Sequence, residues 1–229
     1  MKFGIIKERK NPPDRRVVFT PEELVRLQSE HPEAEIKVES SDIRIFSDDQ
    51  YRNLGLNVTA EMSDCDVLFG VKEVPVDALI PNKKYFFFSH TIKKQPYNRK
   101  LLKAILDKNI ELYDHETIVD ATNHRLIGFG RYAGLVGAYN GFRGFGIKYD
   151  LFTLPKAETL SGKEDLIARL KRQTLPNIKI VLTGHGKVGM GAKEILDGIK
   201  IKQVSVEDFL NKKYTEPVYT QIDVLDYNK

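Results

Sequence analysis

Two proton-exchanging side chains stand directly after apolar runs of the chain: Lys72 after DVLFGV and His90 after YFFFS. If those runs are neighbouring strands of a parallel sheet, both residues lie at strand carboxyl ends, where open α/β sheets collect their ligands. A lysine that loses solvent there can exchange protons near neutral pH, and a histidine does so with little tuning. Glu73 adjoins Lys72 and Glu116 follows the next apolar run, IELYDHE, so carboxylates able to tune the pair are at hand. Either polar residue is equally compatible with a solvated loop position; their shared place on successive strand ends favours chemistry. His115 is open between a role beside Glu116 and an exposed turn position. Arg15 and Arg16 close the loop NPPDRR, and Arg125 lies in NHRLIGFG. A guanidinium fork at such a place suits a substrate carboxylate, although a single arginine is more often a surface residue. Lys93 and Lys94, and Lys212 and Lys213, read as solvated charge, with Lys93 one helical turn from His90.

A second constellation is IKIVLTGHGKVGMGAKEILDGI, a strand running through Gly184, Gly186, Gly189 and Gly191 into a helix. Here Gly184 permits a tight turn, Gly186 a close backbone approach to a pyrophosphate, and Gly189 close packing of the helix, whose first amides favour an anion. The alternative is a merely tight strand-to-helix turn. An acidic partner for a ribose is expected about 20 residues further on. Glu207 and Asp208 fit that distance, and equally fit a solvated helix start.

These residues need a scaffold, and the pattern supplies one. Short apolar runs alternate with helical stretches from FGII to IELYDHE, which predicts stacked βα units around a parallel sheet. Thr20, Pro21, Glu22 and Glu23 form a strong helix start, and His31 and Pro32 a clear end. From Tyr132 to Phe152 small residues recur at three- and four-residue intervals, predicting a helix that packs closely; a loop is the alternative. The expected division is a Rossmann-like α/β domain over 1–130, a connecting helix and segment over 131–174, and the start of a nucleotide-binding domain over 175–229. The tail after Ile201 reads as one short strand and a polar segment, either disordered or buried against a second copy in a homo-oligomer.

Composition narrows the field. With 41% apolar and 30% charged residues the chain suits a globular α/β protein, and its +4 charge comes from interspersed basic and acidic residues with no stripe for nucleic acid. No apolar stretch long enough for a membrane span occurs, and Met1 leads straight into a strand, so a cytoplasmic protein is expected. The single Cys65 excludes an internal disulfide framework and a cysteine metal cluster; it reads as an inert core thiol.

The segments GIIKERKNPPDRRVVFTPEE, VLFGVKEVP, FFFSHTIKKQ, YDHETIVD, GFGRYAGLVGA and the glycine turn together resemble the family that joins alanine dehydrogenase, the nicotinamide nucleotide transhydrogenase subunit and the lysine-forming, NAD-dependent saccharopine dehydrogenase. FSHTIKKQ with FGRYAG is more similar to saccharopine dehydrogenase, whereas ETIVD leans toward alanine dehydrogenase. The resemblance implies NAD and a reversible hydride transfer at an amino-acid CH–NH group. In a saccharopine-type reaction water then splits the imine to lysine and 2-oxoglutarate. It further implies that Lys72 and His90 are the acid–base pair, Arg16 and Arg125 the substrate-carboxylate arginines, Glu73 and Glu116 the tuning carboxylates, and Gly184, Gly186, Gly189 and Gly191 the NAD turn. Family members continue well beyond the equivalent of Lys229, so the nucleotide domain reads as truncated. A non-catalytic homologue that binds an amino acid or oxo-acid is the alternative from another class.

Overall fold

The computed structural model describes residues 1–228 and divides the chain into two compact units, the first Met1–Gly128 and the second beginning at Phe129. The segment expected to connect two domains belongs to the second unit.

In the first unit six strands form one parallel sheet: β1 (Lys2–Ile5), β2 (Glu35–Glu39), β3 (Asn57–Thr59), β4 (Val67–Phe69), β5 (Lys84–Phe87) and β6 (Glu111–Asp114), in the order β3-β2-β1-β4-β5-β6. Helices α1 (Pro21–Glu30), α2 (Asp48–Arg52) and α3 (Arg99–Asp107) make the crossovers from β1 to β2, β2 to β3 and β5 to β6. The order reverses between β1 and β4, so the loops that leave these neighbours diverge and open a crevice at their carboxyl ends.

Strand alternation sorts the core. Ile5, Ile36 and Val38 pack with Leu24 of α1 and Tyr51 of α2, while Leu68, Tyr85 and Phe87 pack with Leu101 and Ile105 of α3. Helix α1 starts as its sequence predicts. The Thr20 hydroxyl accepts from the Glu23 amide at 3.2 Å, and the Glu23 carboxylate accepts from the Thr20 amide at 2.8 Å.

The second unit begins with α4 (Gly130–Lys148) and α5 (Lys163–Lys171), followed by β7 (Lys179–Thr183), α6 (Lys187–Gly198), β8 (Lys202–Gln203), α7 (Val206–Asn211), β9 (Val218–Ile222) and α8 (Val224–Tyr227). Its parallel sheet has the order β7-β9-β8. Helices α4 and α6 cross so closely that a Cβ on Gly191 would lie 2.0 Å from the Arg131 carbonyl oxygen, and one on Gly134 2.0 Å from that of Val188.

The tail departs from expectation. It contains two strands and two short helices, and β9 is the central strand of the sheet, with Val218, Tyr219 and Thr220 buried. Pairing with β7 on one side and β8 on the other satisfies the β9 backbone, and the Tyr219 hydroxyl donates to Asp197 of α6 at 2.7 Å. This segment is folded within its own chain because it closes the edge of β7 that a bare glycine-turn strand would leave open.

Candidate active site

The carboxyl ends of β1, β4, β5 and β6 gather most of the candidates from the first unit. Lys72 leaves β4 at the point where the strand order reverses. Its ammonium makes no hydrogen bond or ion pair among the described residues. Glu73, next in the chain, accepts an ion pair from Lys10 at 3.0 Å and lies 3.8 Å from His90 Nε2.

His90 follows β5 in a left-handed backbone conformation, φ 56°, at the start of the single turn Thr91–Lys93. Its Nδ1 is 3.1 Å from Glu116 Oε2, and its ring stacks near Phe88, 6.2 Å between centroids. The imidazole thus lies between two carboxylates. Glu116, whose side chain is 9% exposed, is the hub: Lys93 Nζ lies 3.3 Å and Arg125 Nη1 3.6 Å from its Oε1. Burial opposes ionisation of Glu116, but hydrogen bonds from His90 and Lys93 outweigh it and hold the carboxyl below its ordinary value.

Arg16 is arranged less simply than its role as a carboxylate anchor implies. Its Nε and Nη2 grip Asp14 in a two-point pair at 2.9 and 2.5 Å, which lowers the Asp14 carboxyl and raises the guanidinium. Arg125 lies over the Phe88 ring at 5.9 Å as well as beside Glu116. Lys93, read as solvated charge, is a member of the site; its spacing of three from His90 was the available signal, and a single turn over Thr91–Lys93 uses it. Asp14, which the sequence reading passed over, is marked only by its place two residues before Arg16. His115 is buried rather than in an exposed turn, because β6 carries it under Phe88, 5.2 Å between rings.

In the second unit the glycine turn joins β7 to the start of α6. Gly184 has φ +83°, a conformation that costs a side-chain-bearing residue energy. At Gly186 nothing lies within 4 Å of where a Cβ would be, so the backbone at the start of α6 is open to a ligand. Gly189 packs against the Gly184 carbonyl, where a Cβ would come within 2.3 Å. Gly191, expected with the NAD turn, is buried against α4 instead and serves the helix crossing. Glu207, expected at a strand end as the ribose partner, is in the first turn of α7 beyond β8, and β9 separates β8 from β7. Asp208 shares that helix turn. The acidic residue at the end of the strand that does adjoin β7 is Asp223, whose carboxylate is 3.5 Å from His185 Nδ1 in the turn. The sequence could not show this, since β9 comes third in the chain but second in the sheet.

Among the described residues no group of three or more metal-binding side chains occurs, and no helix is long and apolar enough to cross a membrane. Cys65 is buried, and loss of solvent pushes its thiol up.

A doubly wound sheet with a charged cluster around His90 at its carboxyl edge, joined in one chain to a glycine-turn βα unit, defines an α/β protein with the fold of the alanine dehydrogenase and transhydrogenase structures. Residues 4–136 match the family described as "Alanine dehydrogenase/PNT, N-terminal domain", and the chain belongs to that family. It is similar to α-aminoadipic semialdehyde synthase of Arabidopsis thaliana, 31% identical over an alignment of 214 positions that covers 84% of this chain and 20% of that protein. It is also similar to the NAD(+), L-lysine-forming saccharopine dehydrogenase of Yarrowia lipolytica, 27% identical over 192 residues, 75% of this chain and 51% of that one. Among solved structures an L-alanine dehydrogenase superposes with a TM-score of 0.64 at 18% identity, covering 99% of this chain and 62% of the other. The chain thus spans a fifth to about half the length of these curated relatives.

Proposed function

We propose that this chain carries the acid–base and nucleotide-binding elements of an NAD-dependent oxidoreductase acting on an amino-acid CH–NH group, of the lysine-forming saccharopine type. The observation that carries the reading is His90 held between Glu73 and Glu116 at the carboxyl ends of β4, β5 and β6, with Lys72 leaving β4 at the same end of the sheet. Similarity to the saccharopine dehydrogenases supports that type over alanine dehydrogenase.

Bound NAD supplies the hydride acceptor, and the open backbone at Gly186 with the left-handed turn at Gly184 fits its pyrophosphate. The proposed ribose ligand is Asp223 in place of Glu207. Lys72 exchanges a proton with the substrate nitrogen. Glu116 fixes His90 through Nδ1, which leaves Nε2 to take a proton from the water that adds to the imine carbon. Arg125 and Lys93 hold substrate carboxylates, balanced by Glu116, and Arg16 offers a further anchor oriented by Asp14.

The test is NADH formation from saccharopine by the 229-residue protein, with L-alanine in parallel. Turnover on saccharopine, reduced by about a hundredfold or more in Lys72→Met and in His90→Gln, is expected. Saturable NAD binding with no turnover on either substrate would overturn the catalytic reading.

A further inference from the structure

The peptide Gly70–Lys72 leaves β4 between two buried titratable side chains that the reaction above does not use. Glu8, on the segment following β1 and 7% exposed, accepts the Val71 amide at 2.7 Å through Oε1 and the Lys72 amide at 2.8 Å through Oε2. His115, at the end of β6 and 5% exposed, has its Nε2 at 3.1 Å from the Gly70 carbonyl oxygen. A carbonyl only accepts, so Nε2 carries the proton. Its Nδ1 is buried with no partner among the described residues. The Gly70 amide donates to the Phe86 carbonyl at 2.8 Å, so three successive residues are held from β1, β5 and β6 at once.

Lys72 needs this anchorage, because its ammonium makes no bond that would fix the side chain from its far end. We infer that Glu8 and His115 are positioning residues for Lys72, a clamp on its main chain that sets where the amine reaches. The inference rests on the reading of Lys72 as the acid–base group. Only a carboxylate suits the Glu8 position fully: its two oxygens receive two adjacent amides, whereas a glutamine would turn an NH2 group on one of them.

Protonation loosens the clamp from both ends. Burial raises the Glu8 carboxyl and the two amides oppose that, with Asp14 and Arg16 the charged groups facing it from the loop after β1. Burial lowers the His115 imidazole, faced by the Gly70 carbonyl from β4 and by Asp114 on its own strand. A protonated Glu8 gives up an acceptor, and a charged His115 would place a second N–H where nothing accepts it.

Competitive isotopic acetylation of the 229-residue protein across pH, read by mass spectrometry at Lys72 with exposed Lys103 as internal reference, tests the clamp without relying on turnover. In Glu8→Ala the Lys72 rate relative to Lys103 is expected to change by about threefold or more and its pH dependence to shift, with Glu8→Gln intermediate. In turnover, kcat is expected to fall by about tenfold with KM for NAD unchanged. Should Glu8→Ala fail to fold, Glu8→Gln and His115→Phe carry the same measurement. Lys72 labelling that matches wild type at every pH in the folded variants would overturn the inference. A wild-type protein that never turns over, yet whose Lys72 labelling responds to Glu8, would instead overturn the catalytic reading and leave the clamp standing.

Discussion

Glu116 shows how one carboxylate organises the site. It meets His90, Lys93 and Arg125 while almost fully buried, and its lowered carboxyl value means the folded state prefers the anion. A depressed carboxyl contributes stability above its unfolded value, and that contribution is lost as pH falls through the folded value. Glu116→Gln is therefore expected to lower unfolding free energy by about 1–2 kcal/mol at pH 7, with the gap from wild type narrowing below about pH 4 in urea titrations. His115 works in the same direction by a different route. Its neutral form is the one the fold accommodates, so stability is full above the ordinary histidine range and declines as pH drops below it. His115→Phe should flatten that decline below about pH 6.5. Residue types near strand ends were enough to bring His90, Glu73 and Glu116 together as candidates, with Lys72 at the same end of the sheet. They were not enough to find Glu8, because its signal is a bond to main-chain amides 63 and 64 residues away.

Among the elements, α1 and the α4–α6 pair differ in what makes them form. Helix α1 is locally specified: its capping box is written in Thr20 and Glu23, and Thr20→Ala should cost about 1 kcal/mol by thermal unfolding. Helix α4 carries glycines that weaken it alone, and packing decides which of them matter. Gly134→Ala would drive a Cβ into the Val188 carbonyl, so a loss of about 2 kcal/mol or more is expected. Gly137→Ala meets nothing within 4 Å and should be neutral or stabilising by up to about 1 kcal/mol. Equal destabilisation by the two would show that α4 and α6 do not cross as described. Sequence spacing marked the small-residue helix, but it could not separate glycines at the crossing from those facing away.

At the scale of the whole molecule, the chain has two compact units, one holding the charged cluster around His90 and the other the glycine turn. In the first, Asp64 ties β1 and β2 together through Lys37 at 2.5 Å and Lys2 at 3.0 Å, which hold its carboxyl down at about 2. Its contribution to stability is present above the ordinary aspartate value and lost as pH falls toward about 2, so Asp64→Asn should reduce the steepness of acid unfolding over that window. In the second unit, Asp223→Asn is expected to weaken NAD binding by about tenfold in calorimetry while Glu207→Gln leaves it unchanged; the reverse result would restore Glu207. The sequence by itself determined the alternation of strands and helices, the caps, the glycine turn and the titratable residues at the strand ends, because each of these is encoded within a few neighbouring positions. Only the tertiary structure decided the rest: that β9 enters between β7 and β8, that Asp223 therefore reaches the turn, that Gly191 packs a helix, and that Glu8 and His115 close on Lys72. Those are pairings between distant segments, set by which backbone groups and apolar faces satisfy one another once the whole chain is folded.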